Sequence, residues 1–299
     1  MSQSNTAEII DQVKPKVVPF FDEDSNTFSY VVRDPLSSSC AIVDSVLDFD
    51  MASGSVDHKG AQAIIRYVEE KKLEVEWIIE THVHADHLSA APYLKDFVGG
   101  KIAIGEHVKT VQETFGEIFN AGDDFKRDGS QFDHLFKDGE RYRIGNLEAF
   151  AIHTPGHTPA CMTHVIGNAA FVGDTLFLPD AGTARADFPG GDAATLYQSI
   201  QKILALPART KIYMCHDYGA EGRELEYKTT VKEELEGNIH VNQNVAEAEF
   251  VSMREARDRT LDVPHLILPS LQVNMRAGHL PPPESNGRIF LKIPLDALR

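Results

Sequence analysis

Paired thiols, long apolar runs and positive charge are what this 299-residue chain has little of. Its three cysteines, Cys40, Cys161 and Cys215, are far apart and form no Cys-x-x-Cys pair. They read as reduced, mostly buried thiols in a reducing compartment. No apolar run approaches the roughly 20 residues that a membrane span needs. The N-terminal Met-Ser-Gln-Ser-Asn-Thr-Ala-Glu has neither the apolar core of a signal peptide nor an Arg-rich transit pattern, so a cytoplasmic location without membrane association is expected. Lys and Arg number 29 against 45 Asp and Glu, and the net charge of −16 disfavours nucleic acid as a partner. An anionic substrate would need locally placed Arg or Lys. There is no internal repeat, no low-complexity segment and no Ser/His/Asp nucleophile arrangement. The pair Gly190-Gly191 is too short for a phosphate loop.

What is present is a globular composition, 42% apolar and 25% charged, sufficient for a substantial core in one large domain or two ordinary ones. Residues 28–33 and 40–44 read as strands joined by a turn-rich link, and Asp44 at a strand end is either a turn aspartate or a carboxylate supporting a site. Ala61, Ile64, Ile65 and Val68 recur at helical spacing. Further on, a helix is expected at 90–97, a strand at 101–104 and a helix at 108–119. Residues 120–140 are rich in Asp and Gly and read as a surface excursion. A hairpin turns at Gly145-Asn146, and strands follow at 162–166 and from 169. Asp192 is an N-cap candidate for a helix bearing Leu196, Ile200, Ile203 and Leu204, and 211–215 is another strand. The alternation argues α/β. From about residue 229 the pattern changes to helices near 230–236 and 245–257, a Pro-rich tail at 264–283 and an apolar segment at 288–293. Residues 1–228 are therefore expected as the catalytic domain, with 229–299 an extension packed on it.

The chemistry concentrates at strand ends. Thr81-His82-Val83-His84-Ala85-Asp86-His87 follows the apolar run at 75–79, which reads as a buried strand. In extended backbone alternate side chains share a side, so His82 and His84 can leave together. Asp86 and His87 fall where a helical pattern begins at Leu88. With His157, Asp174 and His216, each also placed after an apolar run, seven candidate metal donors result. Imidazole and carboxylate without thiolate suit zinc, iron or manganese, and the set is large enough for one metal or for two bridged by a carboxylate.

The motifs His82-Val-His-Ala-Asp-His87, His153-Thr-Pro-Gly-His157, Gly173-Asp174 and His216-Asp-Tyr218 resemble, in order, those of the metallo-β-lactamase superfamily. That resemblance, over roughly residues 25–220, implies a four-layer αββα sandwich with the site at one edge of two sheets, completed here by a C-terminal helical and irregular extension. Two branches share the seven donors. Glyoxalase II-type thioester hydrolases hold two metals with them. Persulfide dioxygenases hold one Fe(II) on the counterparts of His82, His157 and Asp174, leaving cis positions for sulfur and O₂. The chain is more similar to the second branch in Ala85, in Cys161 after the second motif, in Gly182-Thr-Ala-Arg185-Ala-Asp187-Phe188 and in Val273-Asn-Met-Arg276-Ala-Gly278. It departs in its longer 105–137 stretch and in its tail at 281–299.

The dioxygenase resemblance implies a reaction of glutathione persulfide with O₂ to sulfite and glutathione at one Fe(II) per chain. The alternative is a binuclear zinc hydrolase of a thioester such as S-lactoylglutathione. His84, Asp86, His87 and His216 then either hydrogen-bond ligands and substrate or hold a second metal. Tyr218 is the candidate hydrogen-bond donor to substrate. Arg185, as a catalytic or binding group, and Arg276 are the candidates for gripping glutathione carboxylates, with an Arg185–Asp187 ion pair as the alternative for the first. Arg223 and Lys232 read as solvated charges. Cys161 and Cys215 read as buried apolar residues and His153 as a satisfied loop histidine. His58, His107, His134, His164, His240, His265 and His279 read as bystanders. A homodimer is implied by the resemblance alone. A non-catalytic carrier is a third class, and the complete donor set argues against it.

Overall fold

The computed structural model describes residues 13–219 and 222–297. The N-terminal stretch read above for targeting signals lies outside the described residues.

Two six-stranded sheets form the frame. The first runs β1 (Lys16–Asp22), β2 (Thr27–Arg33), β3 (Ser39–Val43), β6 (Glu74–Ile79), β8 (Lys101–Gly105), β9 (His134–Phe136). The second runs in chain order through β10 (Arg141–Ile144), β11 (Leu147–His153), β12 (Met162–Ile166), β13 (Ala169–Phe171), β14 (Lys211–Tyr213) and β15 (Lys228–Thr230). A small third sheet joins β4 (Val46–Asp50) to β5 (Ser55–Asp57) and β7 (Leu88–Ser89).

Alternation along the strands assigns each side chain to a layer. In β2 and β3, Tyr30, Val32, Ala41 and Val43 point between the sheets, where they meet Ile144, Ala149, Ile166 and Phe171 of the second. Val31, Cys40 and Ile42 point outward to helices α1 (Lys59–Glu70), α2 (Ala91–Val98) and α3 (Val108–Ile118). Both faces of these strands are covered, which is why they read as continuous apolar runs. Val165, Ala170 and Ile212 point outward from the second sheet to α4 (Ala193–Leu204), α5 (Val231–Gly237) and α6 (Glu247–Asp258). The result is the expected αββα sandwich. Asp192 caps α4 by accepting from the Thr195 amide at 2.7 Å.

Several expectations are corrected. Leu88–Ser89 is a strand paired with Val46 and Leu47, and the helix starts at Ala91. Phe125 and Phe132, within the stretch read as a surface excursion, are buried in the outer core of the first sheet. The Pro-rich stretch hides a buried helix, α7 (Ile267–Asn274), whose Pro269 stands in the first turn, where a missing amide hydrogen costs little. The apolar segment at 288–293 has no regular structure, and Ile289 and Phe290 are about half exposed. The C-terminal residues serve both outer layers: Val231, Val241 and Phe250 pack behind the second sheet, and Leu271, Val273 and Met275 behind the first.

At one edge the sheets are joined through backbone. Phe28 N donates to Cys215 O at 2.7 Å and Met162 N to Thr81 O at 2.9 Å. The C-terminal ends of β3, β6, β11, β13 and β14 converge there.

Candidate metal centre

β6 delivers His82, His84, Asp86 and His87; β11 delivers His157, β13 Asp174 and β14 His216. All seven expected donors meet at the joined edge. Two of the connecting loops depend on glycine. Gly156 (φ +133°) and Gly173 (φ +51°) have left-handed backbones, and a Cβ at either would overlap the Leu196 backbone or the Thr81 hydroxyl.

Donor atoms of His82, His157 and Asp174 lie within 4.8 Å of one another. Asp174 Oδ2 is 3.8 Å from His82 Nε2 and 3.7 Å from His157 Nε2. On the other side, His216 Nε2 is 3.2 Å from Asp174 Oδ1 and 3.4 Å from Asp86 Oδ2. Asp174 thus stands between two halves. His82 Nε2, His84 Nδ1 and His87 Nε2 are buried without a hydrogen-bond partner. Buried polar nitrogens left unpaired are costly, and metal ions held by either half would satisfy them. The opposite nitrogens are held. His82 Nδ1 faces Thr81 Oγ1 (3.0 Å), His157 Nδ1 donates to Arg185 O (2.8 Å), and His84 Nε2 lies 3.0 Å from Asp44 and 3.1 Å from Glu80. Such partners orient imidazoles toward a metal. The donor set therefore fits a metal bound through nitrogen and oxygen.

Electrostatics follow from this crowding. Burial alone would raise the Asp174 carboxyl, but the imidazoles of His216, His82 and His157 hold it well below the usual carboxylate range. Asp86 is also held low: burial opposes this, and His216 and His87 overcome it. Burial and neighbouring His84 push His82 well below its ordinary value. His216 is raised to about 9, because Asp174 and Asp86 outweigh burial. Cys215 is pushed well above the usual thiol range, first by burial.

Asp44 resolves as a supporting carboxylate: it accepts from Thr81 N (2.7 Å) and Thr81 Oγ1 (2.9 Å) as well as meeting His84. Three contributors were missed in the sequence. Glu80, adjacent to the motif, joins His84 and accepts from Ser89 Oγ at 2.6 Å. Thr27 lies 3.3–3.4 Å from the Nδ1 atoms of His216 and His87. Asn274, inside the C-terminal motif, donates through Nδ2 to His84 O (2.9 Å) and His87 O (2.8 Å) and accepts from Ser89 N (2.8 Å). Its neighbour Arg276 lies elsewhere, with its guanidinium 4.2 Å over the Phe125 ring, lining a groove with Gln272 and Phe290.

Four of the donors, Asp86, His157, Asp174 and His216, line a cavity of about 610 Å³, together with Arg185, Phe188, Tyr218, Arg257 and His265 among others. Arg185 forms a two-pronged ion pair with Asp187 (2.6 and 2.8 Å). The Tyr218 ring is parallel to that of His216, 6.0 Å away. His265, read as a bystander, belongs to the cavity wall, while His164 is buried against Tyr142. Arg223, read as a solvated charge, bridges Asp180 and the buried Asp217.

Fold and donors together define a metal-dependent enzyme of the αββα sandwich class. The chain belongs to the metallo-beta-lactamase superfamily, which matches residues 22–216. It is 57% identical to a probable metallo-hydrolase of Burkholderia pseudomallei, over 93% of this chain and 98% of that one. It is 50% identical to glyoxylase B2 of Dictyostelium discoideum, over 96% and 99%. It is 29% identical to the mitochondrial persulfide dioxygenase ETHE1 of Bos taurus, over 88% and 89%. The crystal structure of ETHE1 from Myxococcus xanthus superposes with a TM-score of 0.70 at 25% identity, covering 88% of this chain and all of that one. No helix among the described residues is long and apolar enough to cross a membrane.

Proposed function

We propose that the protein is a persulfide dioxygenase that converts glutathione persulfide, O₂ and water to glutathione and sulfite. The observation that carries this reading is the three-donor group of His82, His157 and Asp174, of which His157 and Asp174 line the cavity. Two imidazoles and one carboxylate gathered within 4.8 Å would suit non-heme Fe(II) with positions left for ligands. The similarity to a named persulfide dioxygenase, over 88% of this chain, supports it.

In this reading Fe(II) supplies the activation of O₂ and the affinity for sulfur. The chain's own residues prepare the site. Arg185 O and Thr81 Oγ1 fix the ring planes of His157 and His82. Phe188, edge-on to His157 at 5.2 Å, and Phe177, edge-on to His216 at 6.2 Å, give the cavity an apolar lining. Tyr218, with its phenol protonated at neutral pH, can donate a hydrogen bond to the substrate sulfur. Arg185 would act through its carbonyl on His157, and through its guanidinium only by sharing it with Asp187.

A second reading is favoured by a specific observation. His84 Nδ1 and His87 Nε2 are as unpaired as His82 Nε2, so both halves can hold a metal. The names of the Burkholderia and Dictyostelium relatives, a probable metallo-hydrolase and a glyoxylase, lean toward a hydrolase, for which a binuclear site acting on a glutathione thioester is the alternative. Metal content and turnover decide. The dioxygenase reading expects one iron per chain and O₂ consumption with glutathione persulfide; two zinc ions and thioester hydrolysis without O₂ uptake would overturn it. His157→Ala should abolish metal binding while His84→Ala retains much of it, and equal loss would favour the binuclear site. Light scattering checks the homodimer that the resemblance implies.

A further inference from the structure

The cavity before the metal donors is acidic. Asp24, Asp86, Asp174, Asp180 and Asp262 line it, in a chain of net charge −16. A substrate bearing carboxylates needs a cation there that is not already neutralised. Arg185 is bound to Asp187 and to Asp262 O (2.6 Å). Arg254 is fully buried, held by Asp258 (2.6 Å) and Thr183 O (3.0 Å). Arg257 lines the same cavity and is exposed, with no ion-pair or side-chain hydrogen-bond partner among the described residues.

Its backbone, by contrast, is firmly placed. Arg254 and Asp258 form a buried pair across the last turn of α6, and Asp258 also accepts from Ala186 N at 2.9 Å. This pair ties α6 to the 183–186 loop, whose Arg185 O holds His157. Arg257 sits between the two anchors, fixed at its Cα and free at its guanidinium. The fixed backbone keeps the guanidinium within reach of the cavity, and its planar fork matches a carboxylate.

We propose that Arg257 recognises a carboxylate of the glutathione part of the substrate from the cavity wall formed by α6. This rests on the glutathione-type substrate above, and it holds equally for a persulfide or a thioester. The cavity volume suits a ligand of tripeptide size.

The test uses the metal-loaded full chain titrated with S-methylglutathione, a non-reacting probe that keeps both carboxylates, and with its diamide. Arg257→Gln weakens S-methylglutathione about tenfold, the scale of one charge-assisted hydrogen bond, and leaves the diamide unchanged. Arg257→Lys falls between. In turnover the KM rises by the same factor while kcat is kept. Equal affinity of Arg257→Gln and wild type for S-methylglutathione, an equal loss for the diamide, or no binding by wild type overturns the proposal. O₂ uptake is a separate arm. Arg257-dependent binding with thioester hydrolysis and no O₂ uptake would overturn the dioxygenase reading and leave Arg257 supported.

Discussion

Asn274 is the clearest case of a residue remote in sequence holding the metal loop, and its removal has a calculable cost. Asn274→Ala deletes the amide that donates to His84 O and His87 O and accepts from Ser89 N, all at 2.8–2.9 Å and all buried. The orphaned Ser89 amide costs about 1–3 kcal/mol, and each carbonyl somewhat less, so the total is about 3–5 kcal/mol. That is a large share of the ~5–15 kcal/mol by which a domain is usually stable. Because the two carbonyls belong to the loop carrying His84 and His87, metal affinity should fall as well. Urea denaturation of chelator-treated protein reads the first effect, and metal titration the second. Asn274→Asp sharpens the test: it keeps an acceptor for Ser89 N but sets a carboxylate against two carbonyl oxygens, so it should be at least as damaging as Asn274→Ala. A loss below about 1 kcal/mol in Asn274→Ala with unchanged metal affinity, or an Asp variant that behaves like wild type, would refute the reasoning.

Other outcomes follow from single features of the fold. Glu234 is buried, its Oε2 meets Asn238 at 2.6 Å and its Oε1 has no partner; burial raises its carboxyl from 4.5 to about 8. The folded state therefore keeps a proton that the unfolded state loses, and stability falls as pH rises from 4.5 to 8. Glu234→Gln should flatten the melting-temperature profile over that window and be the more stable protein at its upper end; parallel profiles would contradict this. Gly156→Ala introduces a Cβ into the Leu196 backbone at a φ of +133°. It should cost more than about 2 kcal/mol and displace His157, seen as lost metal content.

Periodicity and local chemistry alone indicated the strands at 28–33, 40–44, 75–79, 101–104, 162–166 and 211–215, the α4 cap and seven candidate donors after apolar runs, while β1, β9 and β15 carried no readable signal and the sandwich came from the resemblance. Such signals live within a few residues and survive without tertiary context. Where local composition misled, the reason was burial by a distant segment. Phe125 and Phe132 lie in a polar stretch but fill the layer outside the first sheet, and Pro269 stands inside a helix whose packing overrides its tail-like sequence.

The pairing of donors with their supports was decided only by folding. Asp44 reaches His84 across 40 residues, Thr27 meets His216 across 189, and Asn274 binds His84 O across 190. Nothing in the spacing of the chain encodes those contacts; they arise because two sheets close on one edge and the C-terminal helices cover it. Local sequence is enough to gather imidazole and carboxylate at strand ends, because each such signal spans only a few residues. The packing of distant segments sets which nitrogens are left without a partner, ties Arg185 to Asp187 and leaves Arg257 unpaired among the described residues of the cavity wall, because those contacts join parts of the chain far apart in sequence.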